Sequence, residues 1–375
     1  MTIYYNYLQT YLVDSRDTRG KRHDLHFVLV GVLLSVLSGK VLIAEIYRFL
    51  KRNHVLLCSL MDVDFSKSIS DAQLRRLLDL TDVASFQNLN AIFFKYTHSD
   101  IAATSWVSFD GKEIRGTIDG ATGQKRGLNL VHPFVHNDKI ALNGLFYNGL
   151  KDSEITCVRE LLVSSCLSKS KIIFDALHTQ HETLSIIEDA RGVFITQVKN
   201  NQKKLLEDLV DYQTIEKTFS IEKTLDKGHG RIETRIGRFY NITGIEFNKR
   251  WEKCNLSTLI IIEREFINTK TNKVSKEKSY HISNKNQAEI NSKEYFQAIR
   301  NHWQIESNNY LRDTTFREDK IKCFKIKRMK MMCSFISIAN NLLQNLKIKN
   351  IKAKLEDINH DLNTDNELFR PIKFL

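Results

Sequence analysis

Residues 104–116, TSWVSFDGKEIRG, carry the pattern on which the fold turns. The apolar run Trp106, Val107 and Phe109 has the look of a partly buried strand, and Gly111 reads as the turn that ends it. Asp110 then stands where a buried strand surfaces. A lone aspartate there is an ordinary Asx-turn residue, but this one has a counterpart. In KSKIIFDALHTQ, residues 169–180, the buried-type run Lys171 to Phe174 ends at Asp175 before a helical pattern begins. Two strand-terminal aspartates can lie side by side if their strands are neighbours. Carboxylates that close repel unless a cation separates them. Mg²⁺ suits the task, being a hard ion that takes one or two carboxylates and keeps water elsewhere. A third carboxylate usually completes such a site.

Outward from these two strands the period changes with position. Residues 1–100 read as helical: Asp24 is placed to N-cap the apolar run Leu25 to Leu50, and Ser70 with Asp71 to cap AQLRRLLDL. WVSF, GLNLVHPFV, KIALNGLFY and SKIIFD are strand-like, with helix-like SEITCVRELLVSSCL before the last. TQHETLSIIEDA, GVFITQV and NNQKKLLEDLVDY then alternate helix, strand, helix. Consecutive strands followed by such alternation predict an α/β layer sheet with helices packed on it. Residues 214–284 interrupt it with β-type runs and are expected to form an all-β insertion. Two long helices, roughly Ser292 to Leu311 and Ile321 to Leu346, close a domain over 101–350, and a polar tail over 351–375 reads as loosely ordered.

The composition bounds the partner. The 375 residues hold 56 Lys and Arg against 44 Asp and Glu, a formal charge of +12. An excess of that size suggests a polyanion, nucleic acid before a membrane surface. Leu25 to Leu50 is broken at Ser38-Gly39-Lys40, so its apolar part is short of the ~20 residues that cross a bilayer. The six cysteines show no CxxC or Cys/His spacing, which argues against a zinc site or a disulfide framework and for a reducing cytoplasm. The N-terminus lacks the order of a signal peptide.

The best third acid is Glu306, in AIRNHWQIESNNYL. On a continuous helix Ile299, Trp303 and Glu306 would fall on nearby faces, setting the acid beside large apolar groups. The plain alternative is a surface glutamate paired with Arg300 or Lys320. Several cations are candidates for DNA phosphates. LDKGHGRIETRIGR, residues 225–238, gathers His229, Arg231 and Arg235 about two glycines that would let the backbone approach a phosphate; the alternative is an exposed hairpin. Lys199, Asn201 and Gln202 of VKNNQKK follow a strand expected near the acids, and Lys112 and Arg115 follow Asp110. His178 and His181 are read as helix-start residues, since magnesium prefers oxygen.

These elements together resemble the H-repeat-associated, ISAs-type family of bacterial insertion-sequence transposases, of the DDE class with an RNase H-like core. The similarity runs over about residues 10–346. DSRDTRGKRHDLHFVLVGVLLSVLSG resembles the helical domain that precedes the family's core, and FDGKEIRG, FDALHTQ, VKNNQ, KGHGRIETR and HWQIE…DTTFRED follow in the family's order. The resemblance implies that Asp110, Asp175 and Glu306 are the catalytic triad, holding two Mg²⁺ ions for which Mn²⁺ can substitute. It also implies that Arg300, His302 and Trp303 meet DNA, and that the substrates are double-stranded terminal repeats and target DNA, handled by a homodimer in the bacterial cytoplasm. Relatives in the wider class place Arg four residues before the glutamate and Lys seven after it, where this chain has His302 and Asp313. Two other functions fit some of the residues: a restriction-type nuclease using Asp175, Gln197 and Lys199, and a DNA-binding protein with an inactive core.

Overall fold

The computed structural model describes residues 1–17, 19, 21–97, 105–147, 151–228, 230–348 and 350–360. It is an α/β protein with a helical N-terminal region and a large mixed sheet. The chain divides into two compact units, each made of separate stretches. Unit 1 holds Met1–Ile101, Asp110–Ser153 and Ile305–Leu375; unit 2 holds Ala102–Phe109 and Glu154–Gln304.

Unit 1 begins with six helices, α1 (Thr2–Tyr11), α2 (Leu25–Leu37), α3 (Ile43–Arg52), α4 (His54–Met61), α5 (Asp71–Leu80) and α6 (Val83–Phe93). The caps are those expected. The Asp24 carboxylate accepts from the Phe27 N–H at 2.6 Å, and the Ser70 hydroxyl accepts from the Gln73 N–H at 3.3 Å. Every residue of α2 is buried, which explains an apolar run with no polar face. Gly31 lets α3 come close, since a Cβ there would meet Leu50 Cδ2 at 2.5 Å.

Strand β1 (Trp106–Ile114) contributes Asp110 onward to unit 1 and its first four residues to unit 2. Gly111 is therefore not the turn its composition suggests. The strand continues because Lys112 and Ile114 are both buried, the first by ion pairs described below. Next to β1 in the hydrogen-bonding order come β2 (Leu128–Val135) and β3 (Ile140–Ala141), with β4 (Leu145–Tyr147) also paired to β2. KIALNGLFY is thus two short strands rather than one. The Asn341 side chain closes the β3 edge, accepting from the Ala141 N–H at 3.0 Å and donating to its carbonyl at 2.8 Å.

Unit 2 holds most of α7 (Lys151–Ser164), then β5 (Lys171–Phe174), α8 (His181–Asp189), β6 (Val193–Val198) and α9 (Lys203–Ile215). After these come β7 (Thr218–Gly228), β8 (Arg231–Asn241), β9 (Thr258–Asn268), β10 (Val274–Ser283) and α10 (Ser292–Asn301). The strand order is β1-β5-β6-β10-β9-β8-β7. β1, β5 and β6 are parallel and the rest antiparallel. The expected β-rich insertion exists, and it extends the sheet, since β10 pairs with β6 from Tyr280↔Val198 to Ser283↔Ile195. A core of Trp106, Ile173, Ile195, Phe239, Ile260 and Ile262 meets Tyr295 and Phe296 of α10.

The two closing helices differ from expectation. The first is broken: α10 ends at Asn301, His302 and Trp303 form a turn, and α11 (Gln304–Thr314) begins anew. The break falls where the His302 ring meets the Ser108 hydroxyl at 3.1 Å. The second, α12 (Ile326–Asn345), starts five residues later than its composition suggests, because Ile321 to Lys325 form neither helix nor strand and the Cys323 N–H bonds to the Gly116 carbonyl at 3.3 Å. Gly116 is needed for that approach, since a Cβ would lie 2.2 Å from the Ile321 carbonyl oxygen. The tail is not loose throughout. Ile351–His360 is a helix, α13, whose Ile351, Leu355 and Ile358 are buried at i, i+4 and i+7 spacing. Residues 361–375 lie outside the described residues.

Candidate functional site

In unit 1 the second half of β1 and the helix α11 carry two of the candidate acids, Asp110 and Glu306. Asp110, half-buried on β1, accepts a hydrogen bond at Oδ2 from Nδ2 of Asn309 at 2.9 Å. Asn309 sits three residues after Glu306 on α11, hence on the same helix face. Glu306 is exposed and forms no ion pair among the described residues. Arg300, one of its alternative partners, is paired with Asp226 at 2.7 Å.

Lys112 lies on the same face of β1 as Asp110, yet it is only 6% exposed. Its Nζ is 2.5 Å from Asp313, 3.0 Å from Glu318 and 3.5 Å from Asp319. Glu318, fully buried, also receives Arg312 in a two-pronged pair, Nε at 3.0 Å and Nη2 at 2.6 Å. Burial alone would raise the Glu318 carboxyl, but Arg312 and Lys112 overcome it and hold it at about 2. Burial would lower Lys112, and Glu318 keeps it raised. Nearby His132 is driven down to about 3 by burial and then by Arg312, so its ring is neutral.

The consequence is mechanical. Arg312 and Asp313, at the C-terminal end of α11, are tied to β1 and to the Glu318 turn. The next residue back, Arg317, donates to Glu45 at 2.9 Å and to the Gly39 carbonyl at 2.9 Å, so the same turn grips the junction of α2 and α3. Lys112 is therefore an internal strut, contrary to the phosphate contact expected of it. Arg115 is exposed, with Asp319 nearby at 3.9 Å. Asp313, where relatives of the wider class carry a lysine, faces Lys112.

Unit 2 builds a second cluster. β1 and β5 run parallel in the register Trp106↔Lys171, Val107↔Ile172 and Ser108↔Ile173. β5 stops at Phe174, and Asp175 is exposed at its end, where its carboxylate accepts from the Leu177 N–H at 3.0 Å and starts a short 3₁₀ turn. Two residues expected to reach DNA hold this turn instead. Asn201 donates to the Ala176 carbonyl at 2.6 Å, and Gln202 donates to the Thr179 carbonyl at 2.8 Å while accepting from Arg250 at 2.7 Å. Lys199 is exposed beside them. Burial lowers His302 to about 4 despite the opposing field of Asp175, so it is neutral near pH 7 and lacks the charge of the arginine found there in relatives. His178 is buried against Glu154 at 3.4 Å, and Trp303 is 56% exposed.

The basic turn divides in the same way. Arg231 is exposed over the Phe266 ring at 5.3 Å. Arg235 is 9% exposed and paired with Glu233 at 2.5 Å, so it belongs to the sheet rather than to a solvated turn. His229 lies outside the described residues.

The donors present suit a hard divalent cation. They are oxygens, and the Oδ1 of Asn309 is a buried acceptor with no hydrogen-bond partner beside Asp110. Among the described residues no three His, Cys, Asp or Glu side chains converge on one point. Neither Asn309 nor the Lys112–Arg312–Glu318 cluster was singled out from sequence. The Glu306/Asn309 spacing of one helical turn was the available signal for the first.

Comparison with known proteins agrees with the resemblance. Residues 8–94 match the family described as DDE_Tnp_1-associated, and residues 101–342 match the one described as Transposase DDE domain. "Putative transposase YncI" of Escherichia coli O157:H7 is 27% identical over 350 residues, 89% of this chain and 85% of that protein. "H repeat-associated putative transposase YhhI" of Escherichia coli K12 is 23% identical over 343 residues, 89% of each chain. "Putative protein YbfL" of the same strain matches equally far, at 23% identity.

Proposed function

This chain belongs to the transposase DDE domain family, with the RNase H-like core that the family implies, and from that premise we propose that it cuts DNA at the ends of an insertion sequence and joins the freed ends to target DNA. Asp110, Asp175 and Glu306 are the acids of the reaction. The observation that carries this reading is the parallel register of β1 and β5, in which Asp110 and Asp175 each stand two residues past the last paired residues, Ser108 and Ile173. On this proposal each acid ends its strand as a carboxylate donor to a divalent cation. Glu306, exposed and unpaired among the described residues, is the third oxygen donor.

Divalent ions, Mg²⁺ or Mn²⁺, would be held by these carboxylates, and when bound they supply Lewis acidity for an in-line displacement at phosphorus. The chain's own groups do the rest. Asn309 orients the Asp110 carboxylate. Asn201 and Gln202 hold the turn that presents Asp175. The Lys112–Glu318–Arg312 cluster fixes the helix bearing Glu306. Lys199, Arg115, Arg231 and Trp303, all exposed, are the groups that meet DNA on this reading, and His302 can contribute only as a neutral donor. Phosphate contacts position the duplex without reading its sequence. No helix among the described residues is long and apolar enough to cross a membrane. The working form is a homodimer on paired element ends, acting in the bacterial cytoplasm. The restriction-type alternative would use Asp175, Gln197 and Lys199 and leave Asp110 and Glu306 idle, whereas the family match spans residues 101–342.

The test is Glu306→Gln. Loss of a metal-holding carboxylate should slow cleavage and joining by several orders of magnitude, since metal Lewis acidity is worth several kcal/mol. Binding of a duplex carrying the element's end should stay near that of the unaltered protein. Cleavage at the normal rate would refute the triad.

A further inference from the structure

We propose that Asn309 is a ligand of the same divalent cation, a neutral amide oxygen added to the carboxylates of Asp110 and Glu306; this rests on the metal-dependent reading above. Three observations carry it. Asn309 Nδ2 donates to Asp110 Oδ2 at 2.9 Å, which fixes the orientation of the amide, because turning it over would set its oxygen against a carboxylate oxygen. The Oδ1 is consequently the end left over, and it is buried without a hydrogen-bond partner in a residue only 9% exposed. Finally, Glu306 stands one turn earlier on the same face of α11.

The neighbouring residue shows what a purely structural asparagine looks like here. Asn308, 2% exposed, uses both ends of its amide, one with His132 Nε2 at 3.3 Å and the other accepting from Asn340 at 2.5 Å. An amide oxygen buried with nothing to accept from is unfavourable by about 1–3 kcal/mol. A hard cation satisfies it directly, and asparagine carbonyls are ordinary ligands of such ions. The amide then serves two purposes: its N–H₂ holds Asp110 in place, and its oxygen completes the donor set without adding charge beside two acids. Neutrality matters, since a third carboxylate would raise the repulsion that the site already bears when no ion is bound.

The experiment uses the full chain bound to a duplex of the element's end, with Mn²⁺ as the probe and free Mn²⁺ read by electron paramagnetic resonance. Asn309→Leu removes the oxygen at similar volume and should weaken Mn²⁺ binding about tenfold or more, with single-turnover cleavage falling alongside and DNA affinity unchanged. Asn309→Asp keeps an oxygen there and should bind Mn²⁺ at least as tightly as the unaltered chain. If both variants bind Mn²⁺ normally while Asp110→Asn does not, Asn309 only orients Asp110 and the ligand assignment is overturned. Should Asn309→Leu fail to fold, Asn309→Asp decides: weakened binding in that folded variant also overturns it. Normal Mn²⁺ binding by Asp110→Asn would instead bring down the metal reading itself.

Discussion

The two charge-rich regions of this protein use the same residue types to opposite ends. In unit 1, Lys112, Arg312, Glu318 and Asp313 lie on β1, α11 and the turn after it, with Lys112, Arg312 and Glu318 removed from water. In unit 2, the strands β8, β9 and β10 carry Glu233, Arg235, Arg238, Arg264, Glu263 and Glu277 in a lattice of ion pairs, one within β8 and the others between strands, and all but Glu233 and Arg235 are at least partly open to solvent. The first set is a joint; the second is mostly surface. A charge in the first is compensated by groups that cannot move away, so removing one leaves the others stranded. Only in the second can a phosphate replace a carboxylate partner at little expense.

The sharpest way to break that contrast is Lys112→Ala. It takes from Glu318 one of its two cations and from Asp313 its ion-pair partner, and should destabilise the protein by about 3 kcal/mol, as breaking a buried ion pair typically does. Chemical denaturation would measure it. A loss below about 1 kcal/mol would make the cluster no different from a surface one.

Acidification comes next. Glu318 is held at about 2, below the ordinary carboxylate range, by Arg312 and Lys112 against the opposing effect of burial. A group whose folded value is depressed adds stability above its unfolded value, about 4.3, and loses it as pH falls toward 2. Asp313, raised by burial, works the other way over part of that range. Glu318 dominates because it is fully buried and doubly bonded, so unfolding should become easier between about pH 4.3 and 2. Glu318→Gln should flatten that stretch of the pH–stability curve; an unchanged curve would place the acid sensitivity elsewhere.

The smaller effects belong to the sheet. Arg235→Ala removes one of two cations on Glu233 and should cost about 1 kcal/mol, softened because Arg235 stands directly opposite Arg264 in the register. Arg231→Ala should cost less than about 0.5 kcal/mol of stability. It should nevertheless lower the log–log salt slope of DNA binding by about 0.9 if Arg231 meets one phosphate of a duplex. An unchanged slope would leave it as a surface cation over Phe266.

How much of this could be read from the chain follows the range of the interaction. The caps at Asp24 and Ser70 and the strand and helix periods are local, and they were legible. The continuation of β1 past Gly111 was not, because Lys112 is buried by partners about 200 residues downstream. The break at His302 depends on Ser108, equally remote in sequence. The ISAs-type resemblance supplied the candidate acids in order. It could not show that Asn201 and Gln202 bond the backbone after Asp175, nor that Asn309 touches Asp110, since both depend on contacts no single segment displays.

The packing of α12 bears on how such a protein can be inherited. Phe86 lies against Phe335 at 4.9 Å between ring centres, Gln87 donates to Ser334 at 2.8 Å, and Arg328 reaches Asp79 at 2.6 Å, while Arg317 grasps the α2–α3 junction. The segments that match two separate families, residues 8–94 and 101–342, thus share one interior within unit 1. A chimera that joined residues 101–342 to the leading helices of a cousin would bring mismatched surfaces together unless α5, α6 and α12 travelled as a set. The helical leader and the acid-bearing segment are therefore not exchangeable cassettes, and they have to change in step.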